Sequence, residues 1–363
     1  MKIGVLGGGQ LGRMLGVAGL PLTLEPVFWE PEASACANSI GEHLCAAYED
    51  ATALARLVET VDVCTFEFEN VPSAVLEKLA AQVPVYPPLR ALEVSQDRLI
   101  EKQQLAALDI RTAPYAPVNS EQDLRAAVAQ LGLPAILKTR RFGYDGKGQF
   151  VLRSEADIAA AWQALGNSPL ILEGFVPFQR EVSIIAARGR DGATVFYPLS
   201  ENVHRDGILF TSRALVADVL QSGAETMAKR LLDALDYVGV LCLELFDVNG
   251  ELVENEFAPR VHNSGHWTIE GAETSQFENH LRAVAGLPLG STDCVGFPAM
   301  VNIIGVHPDL SALLKLAQVH VHFYDKSEKP ARKLGHITVR ANSAEQREEK
   351  IAQVLRVLNE RKA

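Results

Sequence analysis

The stretch "LKTRRFGYDGKGQF" has the chemistry of a phosphate clamp. Lys138 ends an apolar run, and a loop with Gly143, Gly146 and Gly148 follows, carrying Arg140, Arg141 and Lys147. Glycines let backbone N–H groups approach phosphate oxygens, and the basic side chains supply charge. The loop is not a Walker A sequence, since G-x-x-x-x-G-K-[ST] is absent. A strand lysine followed by a glycine-rich hairpin is another way to cover a nucleotide's phosphates. Downstream, "ILEGFVPFQREVSI" takes an apolar strand through Glu173, Gly174, Phe175 and Val176. Backbone groups and flat side chains there suit the edge and face of a purine, and Glu181 could accept from ribose hydroxyls.

Two carboxylates come next. In "CLELFDVNGELVENEFAPR", Glu244 and Glu256 lie on strands joined through Asn249-Gly250, a strong hairpin signal. A two-residue loop would set Glu244 opposite Asn255 and turn Glu256 to the other face. A three-residue loop with a glycine bulge would set the two glutamates opposite each other. Like charges facing one another are costly without a cation. The three-residue loop is therefore preferred, with both carboxylates on a Mg²⁺ ion that bridges phosphates. Just beyond, "APRVHNSGHWT" crowds Arg260, His262, Asn263, Ser264 and His266 into seven positions. Packing does not call for so many donors, and they suit a small anion. His262 and His266 have the spacing of a zinc pair on a helix, but Asn263, Ser264 and Gly265 are poor helix interior.

These groups need elements to hold them. "KIGVLGGGQLGRML" reads as strand, turn and helix, and Gly7, Gly9 and Gly12 match G-x-G-x-x-G. Glu30 stands where a dinucleotide site would place a ribose ligand. An oxidoreductase reading, however, leaves residues 138–266 unexplained. Strands and helices alternate to about residue 90, which predicts a parallel sheet with helices on both faces. "SQDRLIEKQQLAAL" opens a new unit with Ser95 as expected N-cap. Two similar segments follow, with Ser120 and Ser154 at their starts and Gly132 and Gly166 at their ends. Each precedes a buried strand, so helices on a mixed or antiparallel sheet are expected. Past about residue 290, "MVNIIG", "VHVHFY" and "HITVR" read as strands of a small closing domain, followed by an amphipathic helix.

Composition narrows the partners. The 363 residues suit two or three domains. A net charge of −11 argues against a broad grip on nucleic acid. Cys36, Cys45, Cys64, Cys242 and Cys294 are scattered and odd in number, as in a reducing compartment. No apolar run is long enough to cross a bilayer, and the N-terminus lacks a secretory pattern. A cytoplasmic location without membrane contact is expected.

The order of motifs resembles ATP-grasp enzymes, which use ATP to turn a carboxylate into an acyl phosphate that a nucleophile then attacks. "GQLGRML", "TFEFENVP", "RRFGYDGKGQ", "NEFAPRVHNSGHWT" and "RKLGHITV" are similar to the N5-carboxyaminoimidazole ribonucleotide synthetase family of purine biosynthesis, nearly from end to end. The resemblance implies an α/β and α+β chain. A Rossmann-like domain would cover 1–92, an ATP-grasp domain 93–290 (lobes 93–172 and 173–290), and a small β-rich domain 291–363. It implies a carbon–nitrogen ligase that carboxylates 5-aminoimidazole ribonucleotide with ATP and bicarbonate. A formate-using glycinamide ribonucleotide transformylase is the alternative.

The resemblance also implies roles. Arg98, Lys138 and the loop Gly143, Tyr144, Asp145, Gly146, Lys147, Gly148 and Gln149 would contact ATP. So would Glu173, Gly174, Phe175 and Val176 at adenine, Glu181 at the ribose, and His204, Asn255 and Glu256. Glu244 and Glu256 would hold Mg²⁺, for which Mn²⁺ could substitute. Relatives in the superfamily place an asparagine ligand where this chain has Ala258. Tyr144, Asp145 and Lys147 would close over the ribonucleotide, with Glu69 nearby. Lys333 and Arg340 would take its 5′-phosphate, with Gln10 and Leu11 of the first glycine turn. Arg260, His262 and Asn263 would receive bicarbonate, and Asp145 or His262 would manage the amine proton. Glu30 is then an ordinary strand-end acid. A homodimer is implied as well.

Overall fold

The computed structural model describes residues 1–143 and 146–360. Tyr144 and Asp145, which the sequence assigns to the nucleotide loop, lie outside the described residues.

The first 66 residues form the expected parallel sheet, except that a short strand not foreseen from sequence, Glu42–Leu44, follows the second strand with no helix between them. Strands β1 (Lys2–Leu6), β2 (Glu25–Trp29), β3 (Glu42–Leu44) and β4 (Val63–Phe66) form a parallel sheet in the order β3-β2-β1-β4. Helix α1 (Gln10–Gly19) leaves β1 through the glycine turn, and α2 (Ala51–Thr60) returns the chain to β4. Helix α3 (Ser73–Ala80) follows, then α4 (Leu89–Ser95) and α5 (Arg98–Ala107). Ser95 ends α4 and is not an N-cap. The cap of α5 is Asp97, whose carboxylate accepts from the N–H of Leu99 at 3.0 Å. Asp97 also takes the Arg140 guanidinium in two bonds of 2.9 and 2.7 Å, fixing the start of α5 to the glycine-rich hairpin.

A small lobe comes next. Strands β5 (Tyr115–Val118), β6 (Ala135–Thr139), β7 (Gln149–Leu152) and β8 (Leu170–Gly174) form an antiparallel sheet in the order β5-β8-β6-β7. It is covered by α6 (Glu121–Leu131) and α7 (Asp157–Leu165). Ser120 caps α6 as predicted, accepting from Asp123 N–H at 3.1 Å. Ser154 does the reverse, donating its N–H to Asp157 at 2.8 Å. This lobe packs a core of its own around Val118, Leu137, Leu152 and Leu172.

The rest is one nine-stranded antiparallel sheet. Its strands are β9 (Arg180–Arg188), β10 (Thr194–Phe196), β11 (Ser200–Arg205), β12 (Ile208–Ala214), β13 (Gly239–Val248), β14 (Glu251–Ala258), β15 (Ala299–Ile304), β16 (Val319–Phe323) and β17 (Lys333–Val339). The order is β14-β13-β9-β11-β12-β15-β17-β16, with β10 beside β9. The three C-terminal strands foreseen as a closing domain thus extend the sheet of the larger lobe, through β12 and β15. Helix α8 (Gln221–Ala234) packs on β9, α9 (Thr268–Gly271) packs on β17, and α10 (Gln276–Ala285) packs against α1 and β4 of the N-terminal domain. Short α11 (Leu310–Leu313) and the amphipathic α12 (Ala344–Glu360) complete the C-terminal part.

One core crosses the domain boundary. Val5, Met14 and Phe28 of the N-terminal domain are buried with Ile185, Val240, Phe277 and Leu281 of the larger lobe. His280 pins the same seam. Its Nε2 lies 2.8 Å from Thr65 Oγ1 on β4, and its Nδ1 accepts from Val240 N–H at 3.1 Å. The ring is fully buried, and that burial holds its pKa down at about 4. An unfolded histidine titrates near 6.5, so the unfolded chain takes up the proton first as pH falls. The neutral ring's contribution is complete above about pH 6.5 and lost as pH falls through about 4, on the order of 2–4 kcal/mol. Urea unfolding should therefore weaken across that window, and His280→Gln should flatten the slope. Equal slopes in both proteins would contradict this.

Candidate functional site

Where the N-terminal domain, the small lobe and the large sheet meet, they enclose a cavity of about 620 Å³. Of the residues singled out from sequence, Gln10, Leu11, Glu69, Arg98, Lys138, Gly143, Gly146, Lys147 and Gln149 line it. So do Glu181, His204, Glu244, Asn255, Glu256, Arg260, His262, Asn263 and Lys333. Gly148, Glu173, Gly174, Phe175, Val176 and Arg340 do not.

The two carboxylates face each other, but the turn is not the one expected. Val248 pairs with Glu251 across a two-residue loop, with φ of 56° at Asn249 and 85° at Gly250. Left-handed values at both positions make this a tight I′-like turn. The register shifts later. Leu245 pairs with Glu254, then Glu244 pairs with Glu256, and Asn255 is the extra residue of a β-bulge. The bulge in mid-strand does what a longer loop was expected to do.

Each carboxylate already has a cationic neighbour. Arg98 lies 2.7 Å from Glu256, and His262 Nε2 lies 3.1 Å from Glu244. Burial pushes the Glu256 carboxyl up, but Arg98 and Lys138 outweigh it and hold it at about 2. Burial pushes the His262 ring down, while the Cys242 sulfur and the Glu244 carboxylate raise it to about 10. The charged Arg98–Glu256 contact accounts for its part of this directly. Two facing carboxylates leave further oxygens toward the cavity, the hard donors that Mg²⁺ takes together with phosphate oxygens and water.

His262 is oriented from behind by a buried polar chain. Its Nδ1 lies 2.9 Å from Ser264 Oγ, Ser183 donates to Ser264 at 2.7 Å, and Asn202 donates to Ser183 at 3.0 Å. Asn263 is held by a reciprocal amide pair with buried Asn302, at 3.1 and 2.7 Å. Arg260 pairs with Glu69. His266 stays apart from this group. It is fully buried against Phe277, Tyr324 and His336, so the zinc pairing with His262 is not formed.

On the nucleotide side, the expected contacts at adenine lie outside the central cavity. Glu173 is buried and accepts from Lys138 Nζ at 2.8 Å, with Lys102 at 3.7 Å on its other oxygen. Ile136 pairs with Glu173 across β6 and β8, which brings Lys138, two residues on, to the same face. Its carboxylate therefore sets the lysine and does not line the cavity. Phe175 and Val176 line a second cavity of about 520 Å³ with Tyr115, Val248 and Val253. The flat wall of the central cavity comes from Phe178 and Phe246, stacked at 4.7 Å. Phe246 lies two residues after Glu244 on β13, and strand alternation puts both on one face. That spacing was the available signal. Glu181 lies 2.8 Å from His204 Nδ1, and this contact raises the histidine's pKa against the effect of burial.

At the other end, the first glycine turn is occupied by one of the protein's own carboxyl groups, that of Glu67, whose pKa burial raises against the lowering effect of the N–H bonds it accepts. Glu67 accepts from Gly9 N–H and Gly12 N–H, each at 2.5 Å. A Cβ at Gly7 would lie 2.4 Å from Glu67 Cγ, and one at Gly9 2.6 Å from its Oε1. The fingerprint clears space for this carboxylate. Glu30 is also more than a strand-end acid, accepting from Gly8 N–H at 3.0 Å. Lys333 lines the cavity here, but Arg340 does not join it. Lys333 begins β17 and Arg340 lies one residue past its end, about 23 Å away at strand rise. Arg340 instead reaches the carbonyl of Glu270 at 3.5 Å. Lys326, which was not singled out from sequence, does not line the cavity itself but donates its ammonium to Gln10 Oε1 beside it. Burial, with Arg332 and Lys333 close by, lowers its pKa. The run "DKSEKPARK" was the signal.

Comparison with known proteins supplies the class and then the family. Family models match a ribonucleotide synthetase preATP-grasp domain over residues 1–96 and an ATP-grasp domain over 103–277. Together with the facing glutamates and the strand lysine, this defines an ATP-grasp ligase. A phosphoribosylaminoimidazole carboxylase C-terminal domain model matches residues 298–350. N5-carboxyaminoimidazole ribonucleotide synthase of Pseudomonas aeruginosa is 54% identical over 98% of both chains. The crystal structure of the Thermus thermophilus synthetase matches with a TM-score of 0.94 and 52% identity over 98% of each chain. An Aspergillus clavatus enzyme solved with ADP and 5-aminoimidazole ribonucleotide matches at 33% identity and a TM-score of 0.90, over 99% of this chain and 98% of that one. The chain belongs to the N5-carboxyaminoimidazole ribonucleotide synthase family.

Proposed function

We propose that this chain carboxylates the exocyclic amine of 5-aminoimidazole ribonucleotide, using ATP and bicarbonate and releasing ADP and phosphate. The observation that carries this reading is a single cavity lined by the strand lysine, the paired glutamates and the basic end at Lys333. Nucleotide, anion and ribonucleotide can meet there.

ATP lies with adenine against Phe246 and its ribose at Glu181. Lys138 and the backbone of Gly143–Gln149 hold the phosphates. Glu244 and Glu256 would hold Mg²⁺, or Mn²⁺ in its place, which offsets charge on the transferring phosphoryl group. Arg260, His262 and Asn263 bind bicarbonate. A bicarbonate oxygen attacks the γ-phosphorus and ADP leaves, giving carboxyphosphate. The amine nitrogen then attacks the carboxyl carbon, and phosphate leaves with its electron pair. Asp145 or His262 takes the amine proton. Closure of the glycine-rich loop over the site would keep water from the short-lived intermediate. Lys326 and Lys333 take the 5′-phosphate beside Gln10 and Leu11, with Glu69 near the ribonucleotide. Among the described residues no helix is long and apolar enough to cross a membrane. We read the enzyme as a cytoplasmic homodimer that binds neither nucleic acid nor membrane.

ADP release with bicarbonate should rise when aminoimidazole ribonucleotide is added. No stimulation would overturn the assignment, and stimulation by formate with glycinamide ribonucleotide would replace it with the transformylase reading. Within the same assay, Lys326→Met should raise KM for the ribonucleotide about ten- to a hundred-fold, the cost of one charged hydrogen bond. Arg340→Met should change it by less than about two-fold. The opposite ranking would return the phosphate to Arg340.

A further inference from the structure

The bulge at Asn255 leaves backbone groups on the outer edge of β14, which is the edge strand of the large sheet. Edge groups at a bulge lack ladder partners. Helix α5 supplies them. Glu101 accepts from the N–H of Phe257 at 2.7 Å, and Lys102 donates to the carbonyl of Asn255 at 3.2 Å. These two bonds bracket Glu256. Both side chains are almost wholly buried, at 2% and 1% exposure, where an unpaired charge is costly. Lys102 is further held by Glu173 at 3.7 Å and Glu254 at 3.8 Å. Glu173 in turn holds Lys138.

We propose that Glu101 and Lys102 are positioning residues that fix the bulge and so keep Glu256 opposite Glu244. The inference rests on the reading of those glutamates as metal ligands. Lys102 also links that site to the strand lysine. Its ammonium sits between Glu173 of the small lobe and Glu254 of the large sheet. One buried cation thereby sets the Asn255 carbonyl and, through Glu173, the neighbour of Lys138.

The test is Mn²⁺ binding with ADP present, read from the free-ion signal in electron paramagnetic resonance. Lys102→Met should weaken Mn²⁺ binding about ten-fold. Because that variant leaves Glu254 without its cation, Lys102→Met/Glu254→Gln is measured beside it and should show the same loss in a folded protein. Glu101→Leu should weaken binding about ten-fold, and Glu101→Gln should restore it to within about two-fold, since the amide oxygen still accepts from Phe257. Wild-type affinity in the folded Lys102 double variant, or equal loss in both Glu101 variants, would overturn the proposal. If Glu256→Gln fails to weaken Mn²⁺ binding, the metal reading itself falls and this inference with it.

Discussion

Two carboxylates held opposite one another on neighbouring strands are the constraint on which the site depends. Glu244 and Glu256 are directly paired in register, where like charges repel. The chain meets this by surrounding them with cations from different elements. Arg98 comes from the start of α5, His262 from the loop after β14, and Lys138 from the small lobe. Removing the carboxylates from the scheme would leave these cations without a purpose in one cavity. Their convergence is how three units of the fold come to share a site.

The first glycine turn follows a related logic. A helix N-terminus and its free N–H groups favour an anion. Here the acceptor is the Glu67 carboxyl group, inserted from the end of β4 into the space that Gly7, Gly9 and Gly12 leave open. The N–H groups of Gly9 and Gly12 are thereby already taken within the protein, and Gln10 and Lys333 are left as the polar side chains that line the cavity at this end. A dinucleotide fingerprint and a dinucleotide site are separable for this physical reason.

Much of the site could be read from residue types. Lys138, the glycine-rich loop, Glu244, Glu256 and the donors from Arg260 to Asn263 carry charges or hydrogen-bonding groups that packing alone does not require. The alternating strands and helices of the N-terminal domain were equally legible. What could not be read depended on register and distance. A bulge at Asn255 and a longer loop at Gly250 give the same pairing downstream, so local sequence does not separate them. Phe175 was read as an adenine contact because it follows Glu173 closely, whereas strand face puts Phe246, two residues after Glu244, in the cavity wall. Arg340 lies just past the strand that Lys333 begins, and the extended strand carries it away, while the loop before that strand brings Lys326 to Gln10. Lys102 gave no sign at all, because a lysine in "EKQQL" reads as a solvated helix face until the fold buries it. The C-terminal domain was legible as a unit, and it packs a core of its own around Val301, Ile337 and Val354; what "MVNIIG" does not announce is that its strand also pairs with β12.

The central claim is that the bulge delivers both glutamates to one metal ion. The most direct measurement is anomalous scattering from crystals grown with Mn²⁺ and a non-hydrolysable ATP analogue. The account predicts a peak bonded to carboxylate oxygens of both Glu244 and Glu256, with Asn255 still the unpaired residue of β14. A peak on only one of the two glutamates, or an uninterrupted ladder through Asn255, would contradict it.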